Sequence, residues 1–100
     1  MYVGKDFDQA TPGETDSYTF DFSARLQPGE TLTAASWTLL LNGSSASGSL
    51  IGSASFTAGG LTTQSIATSS PGTYLATATV TTSAGRTLIF WAHIPCLTPS

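Results

Sequence analysis

From about Ser17 onward, apolar and polar positions alternate with a period of two, in segments rich in Thr, Val, Ile, Tyr, Phe and Trp. That is the pattern of pleated, half-buried strands and not of helices. Tyr18, Phe20, Phe22 and Ala24 fall on one face and Thr19, Asp21 and Ser23 on the other, which predicts a strand with a wet polar side. Pro28-Gly29-Glu30 supplies a turn. After it Ala35, Trp37, Leu39 and Leu41 line one side and Ser36, Thr38 and Leu40 the other, up to Asn42-Gly43. Residues 42–48 read as a flexible loop by composition, and Leu50 to Thr57 as a weaker strand interrupted by Gly52. Ala58-Gly59-Gly60 turns the chain into Leu61 to Ala67, a segment rich in Thr and Gln that predicts an edge strand or one mostly facing solvent. Pro71-Gly72 opens a strand in which Tyr74, Ala76, Ala78, Val80 and Thr82 alternate with Leu75, Thr77, Thr79 and Thr81, and Ser83-Ala84-Gly85-Arg86 makes a hairpin turn. The last strand is apolar on both faces. Leu88, Phe90, Ala92 and Ile94 point one way, Ile89, Trp91 and His93 the other, and Pro95 is expected to stop it.

With a short strand near Tyr2 to Phe7 this makes about seven strands, with turns roughly ten residues apart. The prediction is all-β: an immunoglobulin-like β-sandwich without a disulfide, residues 1–100 forming one domain with its core over about 5–95. A small barrel has the same strand pattern and stays open as an alternative. Pro71-Gly72-Thr73-Tyr74 resembles a tyrosine corner, and Trp37 sits where such folds place a buried indole on the third strand. Ala76 stands where antibody domains carry a disulfide cysteine, so core aromatics must hold the sheets together. The expected core is Phe20, Phe22, Trp37, Leu39, Tyr74, Val80 and Phe90.

Composition changes the picture in one respect. Only 9% of the 100 residues are charged, against about 25% in ordinary domains. After Glu30 the only formally charged side chain is Arg86, and the chain's 31 serines and threonines hydrate the surface in place of charge. Such a surface protects weakly against association, and interface cores are depleted in Lys and Glu, so the composition points to assembly in multiple copies. Three basic residues against six acidic ones give no footprint for nucleic acid or anionic lipid. No apolar run approaches the roughly 18 residues that cross a bilayer as a helix. The start, Met1 to Asp6, has neither a basic and apolar leader nor a cleavage site, and predicts a chain made inside the cell.

Candidate chemistry is sparse. Cys96 has no second cysteine to pair with, and one Cys with one His matches no zinc pattern. An acyl-transfer triad would have to use His93, which lies in an apolar strand with no acid near it in sequence, although Asp6 or Asp21 could approach it through the fold. Asp6-Phe7-Asp8 and Glu14-Thr15-Asp16 are the only carboxylate pairs that could gather on Ca²⁺, and neither matches a known calcium loop. The glycine-rich stretches carry no phosphate-binding or dinucleotide pattern, so no cofactor is implied. Trp37, Tyr74 and Trp91 could form a stacking platform for sugars, but core packing accounts for the first two. Trp91 opposes Phe90 and cannot share its core. Partner contact is the preferred reading for it, with Ile89, His93 and Arg86 as its company.

Phe20-Asp21-Phe22-Ser23, Leu26, Gly29-Glu30-Thr31-Leu32, Ser36-Trp37-Thr38, Gly72-Thr73-Tyr74 and above all Thr81-Thr82-Ser83-Ala84-Gly85-Arg86-Thr87 resemble the fiber-tail adaptor family of tailed phages. The resemblance spans about Lys5 to Ile94. It implies a small immunoglobulin-like, non-enzymatic virion protein, assembled in the bacterial host cytoplasm, that joins tail or neck and fibre proteins. The chain departs from the pattern at Leu39 to Gly43, where members usually have a Pro-Gly turn, and at Leu88 to Ala92, where they usually carry charges. Both departures fall on expected contact surfaces. A capsid-decorating position is the near alternative, and a carbohydrate-binding or adhesion module is the rival from another class. A hydrolase is the least favoured.

Overall fold

The computed structural model describes residues 6–7 and 9–97, and the alternation of side chains becomes seven strands in two antiparallel sheets. One sheet has the order β1-β5-β4, formed by β1 (Glu14–Asp21), β4 (Leu50–Phe56) and β5 (Leu61–Thr68). The other has the order β3-β2-β6-β7, formed by β2 (Leu32–Leu41), β3 (Ser44–Ser45), β6 (Gly72–Thr82) and β7 (Thr87–Cys96). This is the strand order of an immunoglobulin-like sandwich.

The core is the set of inward-facing residues from both sheets. Phe20, Phe22, Trp37, Leu39, Tyr74, Val80 and Phe90 are all buried, with Ile66, Leu88 and Ile94 among them. No disulfide crosses the sandwich, and rings do so instead. Phe20 lies 4.9 Å from Trp37 between ring centroids, and Phe22 stacks on Phe90 at 4.1 Å. The Tyr74 hydroxyl donates to the Ser70 carbonyl and accepts from the Ser70 N–H, both at 3.1 Å. This is a tyrosine corner, and it ties the entry to β6 back onto the preceding loop. Trp37 lies on the second strand, β2, because Asp6 and Phe7 are not in strand; the rest of the expected strand, Tyr2 to Lys5, lies outside the described residues.

Four expectations need correction. The segment Leu61 to Ala67 is no edge: β5 is the central strand of its sheet, and the edges are β1 and β4. Its polar side chains point inward because each finds a partner. Thr62 Oγ1 donates to the Ser55 carbonyl and accepts the Trp37 Nε1–H at 3.0 Å. Gln64 lies opposite a bulge in β4, where the ladder slips between Ile51 and Ser55, and its Nε2 donates to the freed carbonyls of Ile51 and Gly52 at 3.1 and 3.2 Å. Buried polar groups are tolerated when satisfied in this way.

Pro95 does not end β7, for it pairs with Thr73 inside the ladder. β7 is an edge strand, so the missing N–H faces away from β6 and costs no ladder bond. Residues 42–48 are ordered locally. Asn42 (φ 49°) and Gly43 (φ 87°) form a two-residue hairpin turn into β3, and a 3₁₀ turn follows at Ser47–Ser49. Positive φ at both turn positions suits Asn-Gly and matches the strand twist. Ala24 is exposed in a 3₁₀ turn, Ser23–Arg25, and leaves the face of Tyr18 and Phe20, since the Asp21 carboxylate accepts the Ser23 N–H and ends the strand.

Phe7 and Ala10, before β1, lie along the outer edge of β7. Phe7 N–H donates to the His93 carbonyl, Ala10 N–H to that of Pro95, and Leu97 N–H to that of Ala10, and Ala10 pairs with Cys96 in parallel. Part of an edge that would otherwise invite another strand is thereby covered. Cys96 is a free, buried cysteine with its Sγ 3.7 Å from the Thr68 carbonyl.

Candidate interaction surface

β2, β6 and β7 contain no Asp, Glu, Lys or Arg. Their register sets the outward side chains in rows across the sheet. Leu40 stands beside Leu75 and Leu75 beside His93; Thr38, Thr77 and Trp91 form the next row, then Ser36, Thr79 and Ile89. Ile89 is 44% exposed, Trp91 is half-buried, and the Trp91 and His93 rings meet edge-on at 5.6 Å. The face is therefore flat, neutral and capped on one side by a tryptophan. Its strands offer hydroxyls and apolar atoms and no formally charged side chain, so covering them costs little desolvation, which suits the face to protein contact.

Asp6 does approach His93 through the fold. Its Oδ1 accepts the His93 N–H at 2.9 Å and lies 3.4 Å from Nδ1. The pair fastens the N-terminal segment to β7. Among the described residues no hydroxyl or thiol bonds to the His93 ring. Asp8, from the other half of the first carboxylate pair, lies outside the described residues, and among the described ones no three His, Cys, Asp or Glu side chains gather as metal ligands do. Tyr74 and Trp37 are buried, so of the proposed sugar platform Trp91 alone reaches the surface.

Ile89, Trp91 and His93 thus share one face, but Arg86 stands apart from them at the β6–β7 hairpin. Its Nε donates to Glu30 Oε2 at 2.9 Å and its Nη2 to the other Glu30 oxygen and to the Arg25 carbonyl. Glu30 also accepts the Gln27 N–H and the Thr82 hydroxyl. Beside it the Ser83 N–H donates to the Thr31 carbonyl and the Thr31 N–H to the Ser83 hydroxyl. Two of the segments that carry the sequence resemblance, residues 29–32 and 81–87, are therefore one clamp between loops at the same end of the sandwich. The sequence marks Glu30 in a turn and in the resembling motif but carries no signal for its pairing with Arg86, 56 positions away.

The Arg86 guanidinium, the Gln27 N–H and the Thr82 hydroxyl hold the Glu30 carboxyl down to about 2 from its ordinary 4.5. A carboxyl lowered by folding adds stability that is whole above its unfolded pKa and is lost as pH falls through the folded one. Thermal unfolding midpoints are thus expected to drop between about pH 4.5 and 2. Glu30→Gln should melt lower than the parent at pH 7 and show a flatter slope in that acid window. Parallel slopes for the two proteins in melts followed by circular dichroism would remove the clamp from the account.

Comparison with known proteins adds one match. The family model described as podophage GP4 fiber-tail adaptor protein gp77 matches residues 11–93, from just before β1 to His93. No curated protein and no solved structure matches the chain.

Proposed function

Because the chain belongs to the podophage GP4 fiber-tail adaptor family, a family of phage structural proteins, we propose that it is a non-enzymatic virion component joining tail or neck proteins to fibre proteins. In this reading it acts in several copies and through protein–protein contacts alone. The observation that carries it is the outer face of β2, β6 and β7, free of charged residues and bearing Ile89, Trp91 and His93. A typical specific interface buries about 1,600 Å² in total. A domain of this size with one face so cheaply dehydrated commits a large share of its surface to such a contact.

The expected result is that Ile89→Lys/Trp91→Lys folds, since both side chains point away from the core, and fails to enter virions. Two cations placed in a dehydrated neutral interface leave unpaired buried charge. Particles purified from cells that supply either form should contain the parent and lack the variant by immunoblot, with equal soluble levels of both. Equal incorporation would reject this face as the docking surface. A parent protein absent from particles would reject the virion role itself. Labelling of the tail and fibre base, and not of the capsid, is the expected position.

A further inference from the structure

The sheet edges differ in how far they are closed. The edge of β1 carries Glu14, Asp16 and Asp21, that of β7 is bonded by Phe7 and Ala10, and that of β4 is broken by its bulge, whose Ile51 and Gly52 carbonyls turn back to Gln64. Acids, cover and bulges are the usual defences of a sheet edge. Past the register slip at Thr33, the edge of β2 has none of them. β3 pairs with it at Leu40 and Leu41, and the Ala46 N–H adds one bond to the Leu39 carbonyl. The 3₁₀ turn at Ser47–Ser49 then takes the chain over to β4. Among the described residues no strand continues that line beside residues 34–38.

The open groups can be named. The Leu39 carbonyl faces β3, while the Asn42 N–H donates the other way, to the Thr73 carbonyl of β6. Backbone direction repeats every second residue of a strand, so the N–H and C=O groups of Ala35 and Trp37 face the vacant side. A side chain is left open at the same place. Leu50 and Phe56 both lie on the core side of β4, opposite the buried Ile66 and Thr62, yet Leu50 packs against the core and Phe56 is 42% exposed. Leu50 follows directly on the turn that leaves β3, whereas Phe56 lies toward the Leu32 end of β2, where the Leu32 N–H donates to the Ala58 carbonyl at 3.4 Å. Phe56 is thus uncovered where β3, which ends at Ser45, no longer reaches.

Resting on the adaptor reading for what supplies it, we infer that an extended, uncharged segment of a partner virion protein joins the sheet beside residues 34–38 of β2, antiparallel to it in the line that β3 begins, and lays an apolar side chain on Phe56. Unpaired strand backbone selects an extended chain. β2, β3 and β4 contain no charged residue, so a charge carried into this seam would be dehydrated without a partner. The slot is one strand wide. β3 stands about 4.8 Å further out than β2, so a single segment fits beside it, and the edge of a second sandwich would meet β3 first. A joining protein needs two contacts, and this edge is a second one beside the outer face.

The test compares backbone hydrogen exchange in the isolated chain and in virions. The Ala35 and Trp37 amides should exchange freely in the isolated monomer and at least roughly tenfold more slowly in particles, as entry into a ladder requires. With Phe56 replaced by the photo-cross-linker p-benzoylphenylalanine, irradiated particles should yield a product with a tail, neck or fibre protein, attached at an uncharged stretch with apolar residues at alternate positions. Ala35→Pro removes an outward N–H without touching the β6 ladder and is tolerated on an edge. Phe56→Lys puts a charge where the added side chain lies. Both variants should melt close to the parent and be depleted from virions. Unchanged exchange of the two amides in particles, a cross-link joining two copies of this chain, a dimeric isolated chain whose two amides are already protected, or normal incorporation of both variants would each overturn the inference. In those cases a parent chain present in particles leaves the adaptor reading standing, and a parent absent from them removes both.

Discussion

Replacing Trp37 by alanine is expected to cost about 3–5 kcal/mol, the range for removing a large buried aromatic ring. Trp37 is 6% exposed, packs on Phe20, and its Nε1–H is the bond that fixes Thr62 of the facing sheet. It is thus both a large apolar part of the core and a polar link across it. For a domain of this length, such a loss lowers the melting midpoint by about 12–40 °C and removes a large part of a typical stability of about 5–15 kcal/mol. Trp37→Phe separates the two contributions: it keeps most of the ring volume and loses the bond to Thr62, so a smaller drop is expected. Urea and thermal unfolding of the three proteins measure this. A shift of only a few degrees for the alanine variant would mean that the sheets are held elsewhere.

A comparable effect is expected at Gly60→Ala, where no side chain is removed. Gly60 has φ 118°, and a Cβ there would lie 2.7 Å from the Ser23 nitrogen and 2.9 Å from its Cα, both backbone atoms that cannot swing aside. Its carbonyl accepts the Phe22 N–H at 2.8 Å, so this is where the β4–β5 turn docks on the end of β1. The conformational strain alone is roughly 1–3 kcal/mol, and the clash adds to it by forcing the turn off Phe22. Gly59→Ala is the internal control. It lies next door, has no positive φ, and its added Cβ would come no nearer than 4.0 Å to Thr57 Oγ1. Loss of stability at Gly60 with near-neutrality at Gly59 is the expected pair of results, and equal effects would place the cause in the turn generally.

These positions mark what the sequence could and could not convey. Alternation alone separates Tyr74, Ala76, Ala78 and Val80 from Leu75, Thr77 and Thr79, because a period of two needs only neighbours along the chain. The same logic put Ile89, Trp91 and His93 on one face opposite Phe90, where the structure has them. It misplaced β5, because Thr62, Gln64 and Thr68 look solvated when read by residue type. Their partners at Trp37, Ser55, Ile51 and Glu14 come from other strands. The arginine of the β6–β7 turn was noticed for its charge and grouped with a surface, yet its guanidinium is occupied by Glu30 within the chain. Long-range polar pairing of this sort has no local signature, so the resemblance could identify the motif without revealing that the motif is a fastening.

The parallel pairing of Ala10 with Cys96, and the Phe7 bond to His93 beside it, have a mechanical consequence. Strands laid side by side in the same direction leave a pair by opposite ends. A tensile load applied through the two flanks of the domain would slide the segment along β7. It would strain the Phe7, Ala10 and Leu97 backbone bonds all at once, in shear. An antiparallel fastening at the same place would peel open bond by bond like a zipper. In the joining role proposed above the domain would be pulled whenever the fibre is, and this geometry would resist that pull.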